Sequence, residues 1–457
     1  MKKPLPLWKN KSALGWILAV VGHRKYGVLA LTALNSLSSA ASVIFALLLK
    51  EVIDAAVKGG KALFWRQFSV LSALILGQII LRAVIRRVDE RVRSGSENAL
   101  KNHAYRIILT RAYGPLAAFH TGELQTRLTA DTAVVADGVT GILPNVVAMA
   151  VKLVAAAGVL LAMDRRFAMI FLVGGAGMLL VTYGFRRIMK RLHKRVQEAD
   201  GTLRAYMQET TGNLLVLRSF GGESRAAAQA QERMNAHRAQ RLHRNLFSIG
   251  CNMGFSLVMN GGYLLALCWG AVGIMDKSIS YGTLTAVLQL VNQIQAPFAN
   301  ISGFLPRYYA MLASAERLME LDALPPDSDG EKLSPEEVRD CYENLKEISA
   351  RNLTFAYPEG MGENVLEEAS VTIRKGEFVA ITGRSGIGKS TLLKLLLGIY
   401  NPDQGELILN TGKGTLPISP RTRPLFAYVP QGNFLLSGTI AQAVSFLEDA
   451  PDVERIR

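Results

Sequence analysis

The stretch Gly383-Arg384-Ser385-Gly386-Ile387-Gly388-Lys389-Ser390, followed at once by Thr391-Leu-Leu-Lys-Leu-Leu-Leu397, decides how this chain is read. It fits the pattern GxxxxGK[ST]. The short apolar run Phe378 to Thr382 before it predicts a strand, and the run after it predicts a helix. Glycines let a backbone curl until its N–H groups point inward at phosphate oxygens, and the positive end of the following helix adds to the attraction. Lys389 is placed to reach β- and γ-phosphates, and the Ser390 hydroxyl to ligate Mg²⁺. Gly383, Arg384, Ser385, Gly386, Ile387, Gly388, Lys389, Ser390 and Thr391 are therefore the candidate nucleotide-binding residues.

What surrounds this loop is not an ordinary soluble enzyme. Of 457 residues, 49% are hydrophobic and 19% charged, against roughly 25% charged in a typical soluble domain. The three cysteines (Cys251, Cys268, Cys341) have no CxxC or zinc-ligand spacing, which excludes a disulfide scaffold. The net charge of +15 divides unevenly. Leu321 to Arg457 carries 14 Lys+Arg and 20 Asp+Glu, leaving 38 and 17 for the first 320 residues. A basic, apolar part and an acidic, ordinary part imply two solvents. A pI near 9.7 raises nucleic-acid binding, but the placement of the basic residues argues against it.

Crossing about 30 Å of hydrocarbon takes roughly 18 or more apolar residues. Uncharged runs of that kind are Gly27–Leu49 (23 residues), Phe167–Phe185 (19), Asn245–Met275 (31) and Ser278–Pro306 (29). Gln67–Leu81 (15) needs Arg66 or Arg82 to snorkel, and Gly138–Met163 (26) contains Lys152. Six spans result. With the N-terminus inside, the cytoplasmic segments carry 30 Lys/Arg and the outer loops seven, so both ends are expected in the cytoplasm. The inner connections, 56 and 59 residues long, read as membrane helices continuing into the cytoplasm. Ser12–Val21 is too short to span and is expected to lie along the inner interface. Asp322 to Gly330, acidic and turn-rich, reads as a linker. Strand character begins at Ile348, with Ala350, Leu353 and Phe355 as apolar positions.

At this point the chain resembles the ATP-binding cassette exporters over nearly all of its length. Phe119-His-Thr-Gly-Glu123-Leu-Gln-Thr-Arg127-Leu-Thr-Ala-Asp131 and Glu209 to Glu223 resemble the family's inner loops, and Ala313 to Leu318 the segment after the sixth span. Phe355-Ala-Tyr357-Pro358 is similar to the aromatic loop, and Tyr428-Val-Pro-Gln431 with Gly438-Thr-Ile440 to the Q-loop region. The resemblance implies a multi-domain chain. Residues 1–320 are an all-α, six-helix transmembrane domain with long cytoplasmic extensions, 321–345 a linker, and 346–457 a partial α/β P-loop nucleotide-binding domain. It implies ATP and Mg²⁺ as cofactors, Tyr357 stacked on adenine, and Gln431 holding Mg²⁺ or the attacking water as the catalytic residue. Short helices near 115–122 and 212–221 would rest on nucleotide-binding domains.

The implied activity is ATP-driven export of a small-molecule, lipid or peptide substrate by a dimeric half-transporter in the inner membrane. The partners are membrane lipid and a second half-transporter, with no nucleic acid. An importer sharing the exporter fold, or a nucleotide-sensing membrane protein, is the alternative. The sequence departs from the family after Gln431, where no LSGGQ-like signature, acidic Walker B strand or switch histidine follows. The expectation is a fragment that cannot hydrolyse ATP alone. On the sixth span Gln289, Asn292, Gln293 and Asn300 fall on one face at 3.6 residues per turn, which predicts a polar pathway lining.

Overall fold

The computed structural model describes residues 12–58, 60–163, 165–327, 331–357, 363–430, 432 and 438–445. Gln431 and Pro358 lie outside them. Eleven helices precede the soluble part among these residues: α1 (Ala13–Val21), α2 (Lys25–Val57), α3 (Lys61–Thr110), α4 (Tyr113–Ala117), α5 (Thr121–Thr126), α6 (Thr132–Gly141), α7 (Leu143–Met163), α8 (Arg165–Gly212), α9 (Leu214–Ser219), α10 (Glu223–Met275) and α11 (Tyr281–Asp322). Four of the six expected spans fall inside single helices; Gly138–Met163 straddles α6 and α7, and Ser278–Pro306 begins three residues before α11. Lys61–Thr110, Thr121–Met163 and Glu223–Met275 are long and apolar enough to cross a membrane by length and composition. α3 and α10, with 50 and 53 residues, are far longer than hydrocarbon requires. Their surplus is the continuation that the long inner connections predicted. On α3 Phe68, Leu76, Ile79 and Ile80 stand exposed, an apolar surface suited to lipid rather than water.

Two compact units share the chain, and neither is contiguous. One takes Ala13–Leu100 and Thr132–Ala315; the other joins Lys101–Asp131 to the chain from Glu316 onward. In the first, Val43, Ala46, Ala156, Leu160, Ala266, Val287, Leu290 and Val291 form a common core. Small residues at this contact let helices approach closely. Hydroxyls within α2 bond back to their own turn, Thr32 to the Val28 carbonyl and Ser36 to that of Thr32 (2.8 Å each), as a waterless surrounding requires. The start of α11 is fastened by Asp54, whose carboxylate accepts the Ser280 hydroxyl (2.7 Å) and the Gly282 N–H (3.0 Å). An anion at a helix N-terminus is favourably placed.

The polar face expected on α11 is corrected in part. Gln293 is buried, donating to the Ser42 carbonyl at 2.7 Å and accepting from the Ser42 hydroxyl at 3.3 Å. Its amide joins two helices instead of lining a path, because a buried amide is costly unless bonded. Asn292 is exposed and Gln289 half-buried, and the side chain of Asn300 lies outside the described set.

The second unit contains α12 (Pro335–Asn344), β1 (Leu345–Phe355), β2 (Leu366–Arg374), α13 (Lys389–Leu396), β3 (Gln404–Thr411), β4 (Gly414–Pro417) and α14 (Ile440–Val444). The strands form one antiparallel sheet in the order β2-β1-β3-β4. Apolar positions on β1 change parity between Ala350 and Leu353, and a strand keeps such residues on one face only by absorbing an extra residue. The register shifts there, with Asn352 at φ 48°. Gly405 on β3 sits against this bulge, where a Cβ would overlap the Arg351 and Asn352 carbonyls. The core collects Ala350, Leu353, Phe355, Leu395, Leu396, Leu407 and Leu409.

One sequence expectation fails. Phe378 to Thr382 is not a strand, and Phe378 is fully exposed. A strand exists only by laddering with a neighbour, and no described strand pairs with this segment.

The acidic stretch after α11 is held in place. The Ala112 N–H donates to the Pro325 carbonyl and the Asp327 N–H to that of Thr110, each at 3.0 Å. His103 Nε2 lies 3.1 Å from Asp322 Oδ1, and Arg423 pairs with the Asp327 carboxylate.

Candidate functional site: a phosphate loop beside an aromatic cluster

The loop Gly383–Gly388 joins an extended segment to the first turn of α13. Gly383, Gly386 and Gly388 have φ of 149°, 87° and 99°. Gly388 is the position with least freedom: it forms the N-cap of α13 in the left-handed region, and a Cβ there would stand 2.8 Å from Leu366 Cδ2 and 2.9 Å from the Val365 carbonyl oxygen. Only glycine meets both conditions. Arg384, Ser385, Ile387 and Ser390 are exposed along the loop, whereas Thr391 is buried in the helix. The Lys389 ammonium curls over the loop and donates to the Gly383 and Arg384 carbonyls at 2.7 Å each. A cation is thus held at the mouth of a backbone turn that opens a helix, the arrangement that attracts phosphate.

Tyr357 follows β1 directly. Its hydroxyl lies 3.0 Å from Thr391 Oγ1, so the aromatic platform and the phosphate loop are joined by one hydrogen bond. The ring packs edge-on against Phe355 (centroids 5.0 Å apart) and Tyr400 (5.4 Å, 89°). Lys394 Nζ lies 5.7 Å from the Tyr357 centroid. Such cation–ring contacts are favourable. Tyr357 is half-buried and packs against the sheet core. Gln431 lies outside the described residues. Before it, Tyr428 and Val429 are exposed without strand pairing. Thr439 caps α14 by accepting the Gln442 N–H at 3.2 Å.

Lys394 and Tyr400 escaped sequence reasoning. Lys394 reads as a solvated helix residue, and Tyr400 as a loop aromatic. No local pattern announces either, because Tyr357, the ring both approach, lies 37 and 43 residues earlier in the chain and is brought to them only by folding.

A divalent cation fits this loop only as a companion of phosphate. Among the described residues no group of three or more His, Cys, Asp or Glu side chains could hold a metal. The Ser390 hydroxyl is exposed at the helix start, and Mg²⁺ characteristically takes one or two protein ligands with the rest from phosphate and water.

In the same unit, helix α4 and its surroundings meet the nucleotide side. The Tyr113 ring lies edge-on to Tyr400 (centroids 5.9 Å, 86°). Farther along, the residues Arg127–Asp131 form a π-helical turn, a rare geometry often found at functional positions. Arg127 is 4% exposed and donates to Glu123 Oε1 (2.8 Å), Glu320 Oε2 (2.7 Å) and the Arg317 carbonyl. Its guanidinium also lies 4.6 Å from the Phe119 ring centroid. Arg317 pairs in turn with Asp131, whose hydrogen bond holds the guanidinium pKa above its ordinary value.

The fold is that of a long-helix, membrane-type region followed by a glycine-rich loop beside a small antiparallel sheet. The family description "ABC transporter transmembrane region" matches residues 28–298, and "ABC transporter" matches residues 366–456. The chain belongs to the ABC transporter family, whose nucleotide domains bind ATP and whose members are ATPases. It is 25% identical to the ABC multidrug transporter mdr2 of Aspergillus fumigatus over 94% of this chain and 55% of that protein. It is 23% identical to an ATP-dependent lipid A-core flippase of Aliivibrio fischeri over 72% of this chain and 55% of the flippase. It is 25% identical to a fatty acid ABC transporter ATP-binding/permease protein of Mycobacterium bovis, over 73% and 52%. The chain spans about half the length of these relatives.

Proposed function

We propose that this chain works as an ATP-driven exporter half-transporter, pairing with a second half in the inner membrane with both ends in the cytoplasm. The carrying observation is the hydrogen bond between Tyr357 and Thr391, which sets a ring suited to a purine base beside a loop suited to its phosphates. In this reading Tyr357 offers its π-face to adenine. The amides of Gly383 to Gly388 and the ammonium of Lys389 receive phosphate oxygens, Lys389 exchanging the Gly383 and Arg384 carbonyls for a stronger charged partner. Mg²⁺, when bound, neutralises phosphate charge. Ser390 Oγ contributes a ligand to it, and Gln431 contributes a second ligand or orients water. Thr391, buried at the start of α13, bonds the Tyr357 hydroxyl through its side chain.

The lysine/arginine imbalance of 30 inside against seven outside supports the orientation. The relatives named above act on drugs, lipid A-core and fatty acids by their names. An apolar or amphiphilic cargo is the substrate class we take from them. The test is ATP binding to the purified chain in lipid nanodiscs, by calorimetry, with Lys389→Ala alongside. Wild-type binding that Lys389→Ala weakens at least tenfold supports the reading; equal affinity in the two overturns it.

A further inference from the structure

Tyr400 touches two aromatic side chains that belong to different parts of the same unit. It lies edge-on to Tyr357 at the end of β1, with centroids 5.4 Å apart and planes at 89°. It also lies edge-on to Tyr113 on α4, at 5.9 Å and 86°. Phe355 supports it from the core at 5.4 Å and 59°. The Lys394 ammonium is 5.7 Å from the Tyr357 centroid and 6.0 Å from that of Tyr400. One cation therefore lies within cation–π reach of both rings. The helix side is equally tight. A Cβ on Gly114 would stand 3.0 Å from Tyr400 Cε1 and 3.3 Å from Cδ1, so α4 approaches this ring with nothing to spare.

We propose that Tyr400 is a positioning residue for base recognition, setting the angle of the Tyr357 ring, and that α4 bears on the same ring, so that the seating of α4 alters affinity for the base. The inference rests on the nucleotide reading above. Edge-to-face geometry is directional. Turning Tyr400 turns the ring that leans on it, and the Tyr357 hydroxyl, tied to Thr391, leaves rotation about that bond as the available movement. In this reading phosphate is held by other groups, the Gly383–Gly388 amides and the Lys389 ammonium, rather than by the Tyr357 ring. Base and phosphate affinities are then separable.

The experiment uses the full chain in lipid nanodiscs, with ATP and inorganic tripolyphosphate as probes, each with Mg²⁺, read by calorimetry. Wild type is expected to bind ATP more tightly than tripolyphosphate. Tyr400→Leu is expected to weaken ATP about three- to tenfold, the value of one edge-on aromatic contact, and to leave tripolyphosphate unchanged. Tyr400→Phe, which keeps the ring, restores ATP affinity. Gly114→Ala, whose added methyl meets the Tyr400 ring, shifts the ATP-to-tripolyphosphate ratio about twofold or more in the same direction. An unchanged ratio in Tyr400→Leu overturns the proposal, as does equal weakening of both probes, which marks a folding role. An unchanged ratio in Gly114→Ala overturns the link to α4. Wild type binding both probes equally removes the Tyr357 platform while leaving the phosphate loop standing. Wild type binding neither removes the proposed function itself.

Discussion

Arg127 offers a sharp energetic test because its burial and that of its partners differ. The guanidinium is 4% exposed, whereas the carboxylates that hold it, Glu123 and Glu320, are 45% and 58% exposed. Neutralising either one by Glu→Gln leaves the other carboxylate on Arg127. The loss is that of a surface pair, below about 1 kcal/mol. Neutralising both leaves a buried cation without a carboxylate, and such a loss costs about 3–5 kcal/mol. The double variant should therefore exceed the sum of the singles by at least 1 kcal/mol. Local amide exchange across Thr121–Asp131 in lipid reports the opening free energy directly. Each single variant should accelerate exchange less than about fivefold, and the double by about a hundredfold or more. Additive effects, or a double variant no faster than about tenfold, would refute the reasoning.

Three further outcomes follow from named contacts. Gly388→Ala forces a Cβ into Leu366 and the Val365 carbonyl at a φ of 99°; phosphate affinity should fall at least tenfold while the far-ultraviolet circular dichroism keeps its helical signal. Gly282→Ala drives a Cβ into the Lys50 carbonyl and to 2.7 Å from the Asp54 carboxylate, an overpacking cost of about 1–3 kcal/mol that should shorten the thermal inactivation half-life in detergent. Glu337 accepts the Ser334 N–H at 2.7 Å, and this backbone bond lowers its pKa. A folded pKa below the unfolded one gives stability that is present above the unfolded value, about 4.3, and lost as pH falls through the folded value. Exchange of α12 amides, corrected for intrinsic rates, should therefore accelerate as pH falls below the unfolded value, and Glu337→Gln, which removes the titrating carboxyl, should remove most of that dependence.

How much of this was legible in the sequence differs by element. The long apolar helices and their extensions were, since length and apolar runs are one-dimensional signals. The glycine turn that opens α13 was too, because Gly388 encodes a backbone conformation that its neighbours cannot replace. The parity change from Ala350 to Leu353 was visible as letters, but its bulge becomes evident only with Gly405 opposite. The strand expected at Phe378 to Thr382 was misread, because apolar character and length say nothing of a ladder partner. Gln293 was placed on a polar face by periodicity alone, which cannot tell a pathway amide from one bonded to Ser42. Tyr400 was silent. Its importance lies in contacts with Tyr113, Phe355 and Tyr357, which sequence proximity does not connect.

The discontinuous second unit has a consequence for synthesis. Lys101–Asp131 emerges from the ribosome about 185 residues before Glu316, which at about 5–20 residues per second means about 10–40 s of waiting. During that interval Arg127 has Glu123 but lacks Glu320 and the Arg317 carbonyl, and Tyr113 lacks Tyr400. Slowing elongation between these points lengthens the life of a half-finished product.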